Sequence, residues 1–384
     1  MYKIGILTLF YRNFNYGGTL QAYALYKALL ELGVQTDLIT YDNGMNPNPI
    51  YHTFKEQIKQ YNLLVGFDKF KKRILSKFTF LIRNIISIRE KKFLQFTEEN
   101  IKSTELYYDN NLHTLPQQYI GLISGSDQVW NPNSVRKLYL QEYVQSNCRK
   151  ISYAASISRD RLSNKEASVL IPAIKRFDYI GVREKTAQKI LENYNIRDTV
   201  VTVDPTFLLS DLQWNYVASP RVFNGKYALC YFFSKSVGYR RSVQKFCKEK
   251  NIELVFIPYV EQKFNIYDIY GLGRKINEVG PAEFLSLIRD AEYVFTDSFH
   301  GIVFSIIYKK EFIVFKRDKN GQTSKNSRLT DLMTDFMIQN RILSSSRGLV
   351  TVLESKIDYQ KVSRILEDKI ETSLNFLKRA TNIK

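Results

Sequence analysis

The sequence predicts an α/β protein built from two similar Rossmann-like halves with parallel sheets. Three observations predict it. Apolar runs of strand length alternate with segments of helical periodicity over most of the chain. A length of 384 residues suits two domains of ordinary size. Polar or glycine-containing turns follow several of the strand-like runs, and strand carboxyl ends are where open α/β sheets bind ligands. The ligand site is therefore expected in the cleft between the halves.

The elements follow in order. Lys3–Leu9 reads as the first strand, Asn15-Tyr16-Gly17-Gly18 as a loop, about Thr19–Leu32 as a helix and Val34–Tyr41 as a strand. Gly33 stands where a helix-terminating glycine belongs. From about Tyr51 to Lys102 the texture changes: twelve Lys/Arg face five Asp/Glu, a net charge of +7, with Leu, Ile and Phe at helical spacing through Phe67–Phe96. This reads as one or two long helices with a basic face. That face either packs on its own domain or meets an anionic membrane surface. Strands resume at Tyr119–Ser124, Lys150–Ala155, Tyr179–Val182 and Thr199–Val203.

A boundary near Leu208–Leu212 makes residues 1–208 the N-terminal domain, with a basic helical insertion at about 51–105. The C-terminal domain, 209–345, opens on strand Tyr227–Phe233. It continues through helix Gly238–Lys250, strand Glu253–Pro258, helix Pro281–Arg289, strand Glu292–Thr296, helix Gly301–Tyr308 and strand Phe312–Phe315. Residues 346–384 form a C-terminal helical segment, with one helix over about Val350–Leu377.

Composition excludes several classes. With 44% hydrophobic and 24% charged residues the chain can build a packed core and is not disordered. No apolar run reaches the roughly 20 residues of a membrane span, and the sequence starts on a strand without a secretory signal. Cys148, Cys230 and Cys247 have no metal spacing and read as reduced core residues of a cytoplasmic protein. His52 and His113 have no partner at metal spacing, so no metal site is expected. A net charge of +18 favours anionic partners, yet a Lys-rich composition can arise without one. Nucleic acid is not the expected partner: no recognition module is present and basic residues are not striped with aromatics.

Thr296-Asp297-Ser298-Phe299-His300-Gly301 joins an apolar strand to an apolar helix. Imidazole there can move protons near neutral pH, and the helix N-terminus suits phosphate. His300 could equally bond a nearby carbonyl as a cap. The Asn15, Tyr16, Gly17, Gly18 loop is either a tight turn or a substrate-facing loop whose glycines admit close approach. Ser126, Asp127, Gln128 and Trp130 combine a hydroxyl, a carboxylate, an amide and an indole, a mix that suits a sugar. The alternative is a capped helix start with Trp130 in the core. Arg183 stands at a strand's carboxyl end, placed for a carboxylate or phosphate, or for a surface ion pair with Glu184. Arg328 can hold an anion or pair with Asp331 at i,i+3.

As an ordered set these motifs resemble the polysaccharide pyruvyl transferase family. The matching points are Asn15–Gly18 with Leu20-Gln21-Ala22, Gly125–Trp130, Ser152-Tyr153-Ala154-Ala155-Ser156, Val182-Arg183-Glu184, Val203-Asp204-Pro205-Thr206 and Ser298–Gly301. The resemblance implies a GT-B-like architecture, two Rossmann-like domains facing a cleft, with the acceptor on the N-terminal side and the donor on the C-terminal side. It implies transfer of the enolpyruvyl unit of phosphoenolpyruvate to a hydroxyl pair of a cell-surface polysaccharide or its precursor, as a pyruvate ketal, with no cofactor. His300 would handle the proton and Arg183 would bind the donor, with Ser298, Gly301 and Arg328 beside it. Asn15–Gly18, Ser126, Asp127, Gln128 and Trp130 would face the acceptor. Members of the family often carry arginine where this chain has Ser298. A lipid-linked acceptor would bring the enzyme to the inner face of the cell membrane, with residues 51–102 against anionic lipid. The fold alone also permits a glycosyltransferase that uses a nucleotide sugar.

Overall fold

The computed structural model describes residues 3–42, 69–144, 147–234, 236–259, 273–317, 327–345 and 348–382, with the backbone alone over 69–82. The N-terminal half holds strands β1 (Lys3–Leu7), β2 (Gln35–Leu38), β3 (Gly121–Ser124), β4 (Arg149–Ala155), β5 (Tyr179–Val182) and β6 (Thr199–Val201). Its helices are α1 (Tyr16–Glu31), α2 (Lys69–Asn100), α3 (Lys137–Leu140), α4 (Asn164–Ile174) and α5 (Lys185–Glu192). Helix α6 (Asp211–Val217) leads into the second half. That half holds β7 (Tyr227–Tyr231), α7 (Val237–Lys250), β8 (Glu253–Phe256), β9 (Arg274–Lys275), α8 (Pro281–Arg289), β10 (Tyr293–Thr296), α9 (Phe299–Ile307), β11 (Glu311–Phe315), α10 (Ser327–Asp335) and β12 (Ile342–Leu343). Helices α11 (Leu349–Glu354) and α12 (Tyr359–Thr381) close the chain.

Both sheets are six-stranded and parallel, in the orders β2-β1-β3-β4-β5-β6 and β12-β11-β10-β7-β8-β9. Helices cover both faces, so the central strands are continuous apolar runs rather than alternating ones. Counted within its half, the second sheet runs third-second-first-fourth-fifth-sixth, the Rossmann order. The first sheet reaches the same order through a segment too irregular to be a strand. Ser103 and Tyr107 bridge Leu38 and Tyr41 along the free edge of β2, with Thr104 N–H donating to the Leu38 carbonyl at 2.9 Å. This segment takes the third strand's place.

Local chemistry sets the ends of α1. Asn15 accepts from the Gly18 N–H and caps the start. Gly33, at φ +78°, reverses the chain at the other end. The helix thus begins three residues earlier than its apolar pattern suggests.

One apolar core runs through both halves. Tyr16 of α1 stacks on Phe284 of α8 with ring centroids 4.4 Å apart, and its hydroxyl donates to the Val279 carbonyl at 2.9 Å. Trp214 of α6 touches Tyr23 at 5.6 Å and Phe304 of α9 at 5.0 Å. Each such aromatic pair adds about 0.5–1.5 kcal/mol beyond its buried area. The segment joining the sheets is therefore part of the core.

Two expectations change. The end of the basic segment packs across the halves. Arg89 of α2 is buried and donates at 2.8 Å to the carbonyls of Asn277 and Pro258, while Lys92 pairs with Glu283 at 2.6 Å. This part of α2 joins the two domains. Residues 51–68 of that segment lie outside the described residues. The expected final helix is two helices: Ser355 is extended after α11, and Asp358 caps α12 by accepting from the Lys361 N–H. Among the described residues no helix is long and apolar enough to cross a membrane.

Candidate functional site

Strand carboxyl ends from both sheets meet around one carboxylate, Asp204. It follows β6, is buried, and accepts at 3.0 Å from Ser126, in the turn after β3, and at 3.0 Å from Arg183 Nη1, at the end of β5. Thr206 donates to its other oxygen through both N–H and hydroxyl. From the second sheet, His300 places Nε2 at 3.5 Å from Asp204 Oδ2. Burial alone would raise the Asp204 carboxyl. His300, Arg183 and Thr206 reverse that and hold it well below the usual carboxylate range.

Glycine permits the contact between the halves. The His300 ring lies directly on the backbone of Gly17, so close that a Cβ there would fall 1.9 Å from Nδ1. Gly301 is equally constrained, because its Cβ would fall 2.6 Å from Thr296 Oγ1. Gly18 lets the α1 backbone close on Asn13 and the Leu9 carbonyl.

Two buried arginines share the Phe299 ring. The Arg183 guanidinium lies 4.2 Å from its centroid and the Arg328 guanidinium 5.9 Å. Each also has Nη1 3.9 Å from Asp127 Oδ1. They differ in compensation. Arg183 has Glu184 at 3.0 Å in addition to Asp204. Burial pulls its guanidinium down, but Glu184, Asp204 and Asp127 outweigh that and hold it above its ordinary value. Among the described residues, Arg328 has the distant Asp127 carboxylate and a weaker influence from Glu184. Burial first, then the charges of Arg317 and Arg183, pull it down to about 10. Three buried nitrogens here, Arg183 Nη2, Arg328 Nε and His300 Nε2, have no hydrogen-bond partner among the described residues. Each such group costs about 1–3 kcal/mol unless a ligand or water pairs with it.

The structure brings His300, Arg183, Arg328, Ser126, Asp127 and Gly17 together and gives other expected site residues structural work. Trp130 is fully buried, donates Nε1–H to the Tyr139 carbonyl at 3.3 Å and meets Phe177 edge-on. It presents no stacking face to a sugar. Tyr16 belongs to the core between the halves. Asn15 is a cap. Gln128 accepts from Asn131 at 2.8 Å. Ser298 caps α9 through the Gly301 N–H at 3.3 Å, a role arginine cannot fill. Arg328 does not pair with Asp331, which instead accepts from the Thr186 N–H.

Three participants went unassigned in the sequence. Asp204 follows a strand end just as Arg183 does, and that position was the available signal. Phe299 lies within the Thr296–Gly301 stretch. Arg317 follows β11, and its Nε donates at 2.7 Å to the Asp297 carbonyl; nothing local to it in the sequence marks it. Among the described residues no three His, Cys, Asp or Glu side chains could hold a metal ion.

Two parallel Rossmann-like sheets with their strand carboxyl ends turned on a shared polar site define a GT-B-like architecture. A putative UDP-N-acetylglucosamine 2-epimerase from Listeria monocytogenes superposes with a TM-score of 0.54 at 11% identity, over 94% of this chain and 90% of that one. The S. aureus MnaA–UDP complex superposes at 0.55 and 12% identity, over 100% and 98%. These likenesses are of fold. No curated protein matches the sequence significantly. The chain belongs to the polysaccharide pyruvyl transferase family, whose profile matches residues 15–319, and this makes it a transferase.

Proposed function

We propose that this protein moves the enolpyruvyl unit of phosphoenolpyruvate to two hydroxyls of a sugar in a cell-surface polysaccharide or its precursor, forming a pyruvate ketal. Family membership supports the reaction class. The observation that carries the donor assignment is the under-compensated Arg328 beside Arg183, with unpartnered buried nitrogens on both. A small donor bearing a carboxylate and a phosphate supplies the oxygens these groups lack. The compensation pattern makes Arg328, rather than Arg183, the leading donor ligand. It also offers a cation in place of the arginine that relatives carry at position 298.

The chemistry follows from the donor. His300 protonates the methylene carbon, and positive character develops at the neighbouring carbon. Arg183 and Arg328 hold the donor's anionic groups in place. One sugar hydroxyl adds, phosphate departs, and the second hydroxyl closes the ketal. The acceptor is a sugar or lipid-linked oligosaccharide met at the cytoplasmic membrane face; retention on vesicles with and without anionic lipid tests the membrane part.

Thermal shift with phosphoenolpyruvate, UDP, GDP and their sugars tests the donor. A ligand at 100 times its dissociation constant adds about 2.7 kcal/mol. Stabilisation by phosphoenolpyruvate in the wild type, lost in Arg328→Met, is expected. Stabilisation by a nucleotide alone would make the donor a nucleotide sugar. His300→Ala is expected to lower turnover by roughly 10²–10⁴-fold; turnover near wild type would remove His300 from the chemistry.

A further inference from the structure

We propose that Asp204 is a positioning residue that fixes the tautomer of His300, so that Nδ1, on the Gly17 side, is the nitrogen that exchanges a proton with the substrates. The inference rests on the reading above and adds which atom acts and what aims it.

The two ring nitrogens have different surroundings. Nε2 is buried and its nearest charged atom is Asp204 Oδ2 at 3.5 Å. At 3.5 Å the contact is longer than a formed hydrogen bond, but a carboxylate accepts and cannot donate, so it favours the ring states that carry a proton on the nitrogen facing it. Nδ1 has no ion-pair or hydrogen-bond partner among the described residues. It rests where only a glycine leaves room. Nδ1 is then the nitrogen that can be protonated or free, as a general acid and base must be. The second ring nitrogen's partner commonly decides which nitrogen reacts.

Asp204 is held in turn. Ser126 and Arg183 bond the oxygen that faces His300, and Thr206 bonds the other one twice. This leaves the carboxylate little freedom to rotate. The charged and titratable groups facing the pair are Arg183 from the end of β5 and Tyr153 from β4, with Ser126 and Thr206 as neutral hydroxyls. His300 comes from the second sheet and Asp204 from the first, so the tautomer is set only when the halves are packed together.

The proton account balances. The Nδ1–H bond breaks as a C–H bond forms at the donor's methylene carbon. The first sugar hydroxyl gives its proton to Nδ1 as its oxygen bonds to the ketal carbon, which restores the imidazolium. The carbon–oxygen bond to phosphate breaks as the second hydroxyl adds, and that hydroxyl's proton leaves with the phosphate.

The test is nitrogen-15 NMR of histidine-labelled full-length protein, with thermal shift by phosphoenolpyruvate as the separate check of the donor. The chain has three histidines, so His52→Gln and His113→Gln assign the His300 signals. The expected wild-type result is neutral His300 as the Nε2–H tautomer. In Asp204→Asn, Nδ1–H should gain population. A wild-type His300 found as Nδ1–H overturns the proposal, and so does an Asp204→Asn spectrum in which the Nε2–H tautomer keeps its wild-type population. If Asp204→Asn does not fold, the wild-type spectrum still decides. If phosphoenolpyruvate does not stabilise the wild type, the donor assignment fails while the tautomer result stands separately.

Discussion

Gly17→Ala is the most direct probe of how the site is assembled. In a helix, alanine is favoured over glycine by about 1 kcal/mol, and Gly17 has no left-handed backbone to lose. Propensity alone therefore predicts a more stable protein. The structure predicts the opposite. The new Cβ would lie 1.9 Å from His300 Nδ1, 2.4 Å from Cε1 and 2.6 Å from Cγ. Ordinary contact would require the ring to retreat by roughly 1.5 Å, and inserting a methyl into a packed interior costs about 1–3 kcal/mol. Asp204 and the packed helix behind His300 oppose that retreat. Turnover should fall about 10²-fold, as for displacements of this size near reacting atoms, and the urea midpoint should fall or stay level. Gly33→Ala is the control: its φ of +78° strains alanine, yet nothing lies within 4 Å. That variant should lose stability and keep turnover. Wild-type turnover with raised stability in Gly17→Ala would refute the close packing of His300 on α1.

Further predictions test the surrounding charges and the aromatic assignment. Arg328→Met should raise the stability of the unliganded protein while abolishing the phosphoenolpyruvate shift, because burial and then the charges of Arg317 and Arg183 pull the guanidinium down to about 10. Lower urea stability would mean that its contact with Asp127 dominates. Asp204 has a folded value below its unfolded value of about 3.9, so its contribution is complete above about pH 5 and is lost as pH falls through the folded value. The stability gap between wild type and Asp204→Asn should therefore narrow below about pH 4, and a gap constant from pH 3 to 7 would contradict this. Trp130→Phe should cost about 1 kcal/mol through its lost hydrogen bond and leave acceptor KM unchanged; a raised KM would return Trp130 to the acceptor site.

The sequence made the alternation of elements legible because buried parallel strands are continuous apolar runs such as Tyr293–Thr296. Turn positions were legible for the same reason: Arg183 and His300 each follow such a run. The direction a side chain takes was not. Trp130 and Tyr16 sit beside motif residues and carry polar tips, but both turn inward because those tips find carbonyls at Tyr139 and Val279. Partners far apart in the chain were also hidden. Arg89 meets Asn277 across 188 positions, and no local pattern encodes that contact. The compensation of Arg183 and the lack of it at Arg328 depend on Asp204, Glu184 and Asp127 converging from separate loops.

Helix α12 begins against the second half, where the Tyr359 hydroxyl donates to the Lys310 carbonyl. It ends on the first, where Ser373 accepts from the Val203 N–H at 3.0 Å and Phe376 packs near Tyr153. The Val203–Ser373 contact spans 170 positions. At roughly 5–20 residues per second, the ribosome makes Ser373 about 10–30 s after Val203. The half made first therefore waits for the last helix to cover its sheet and stays exposed to chaperones and proteases meanwhile. A stop codon in the final 25 codons would damage the beginning of the protein more than the domain next to it.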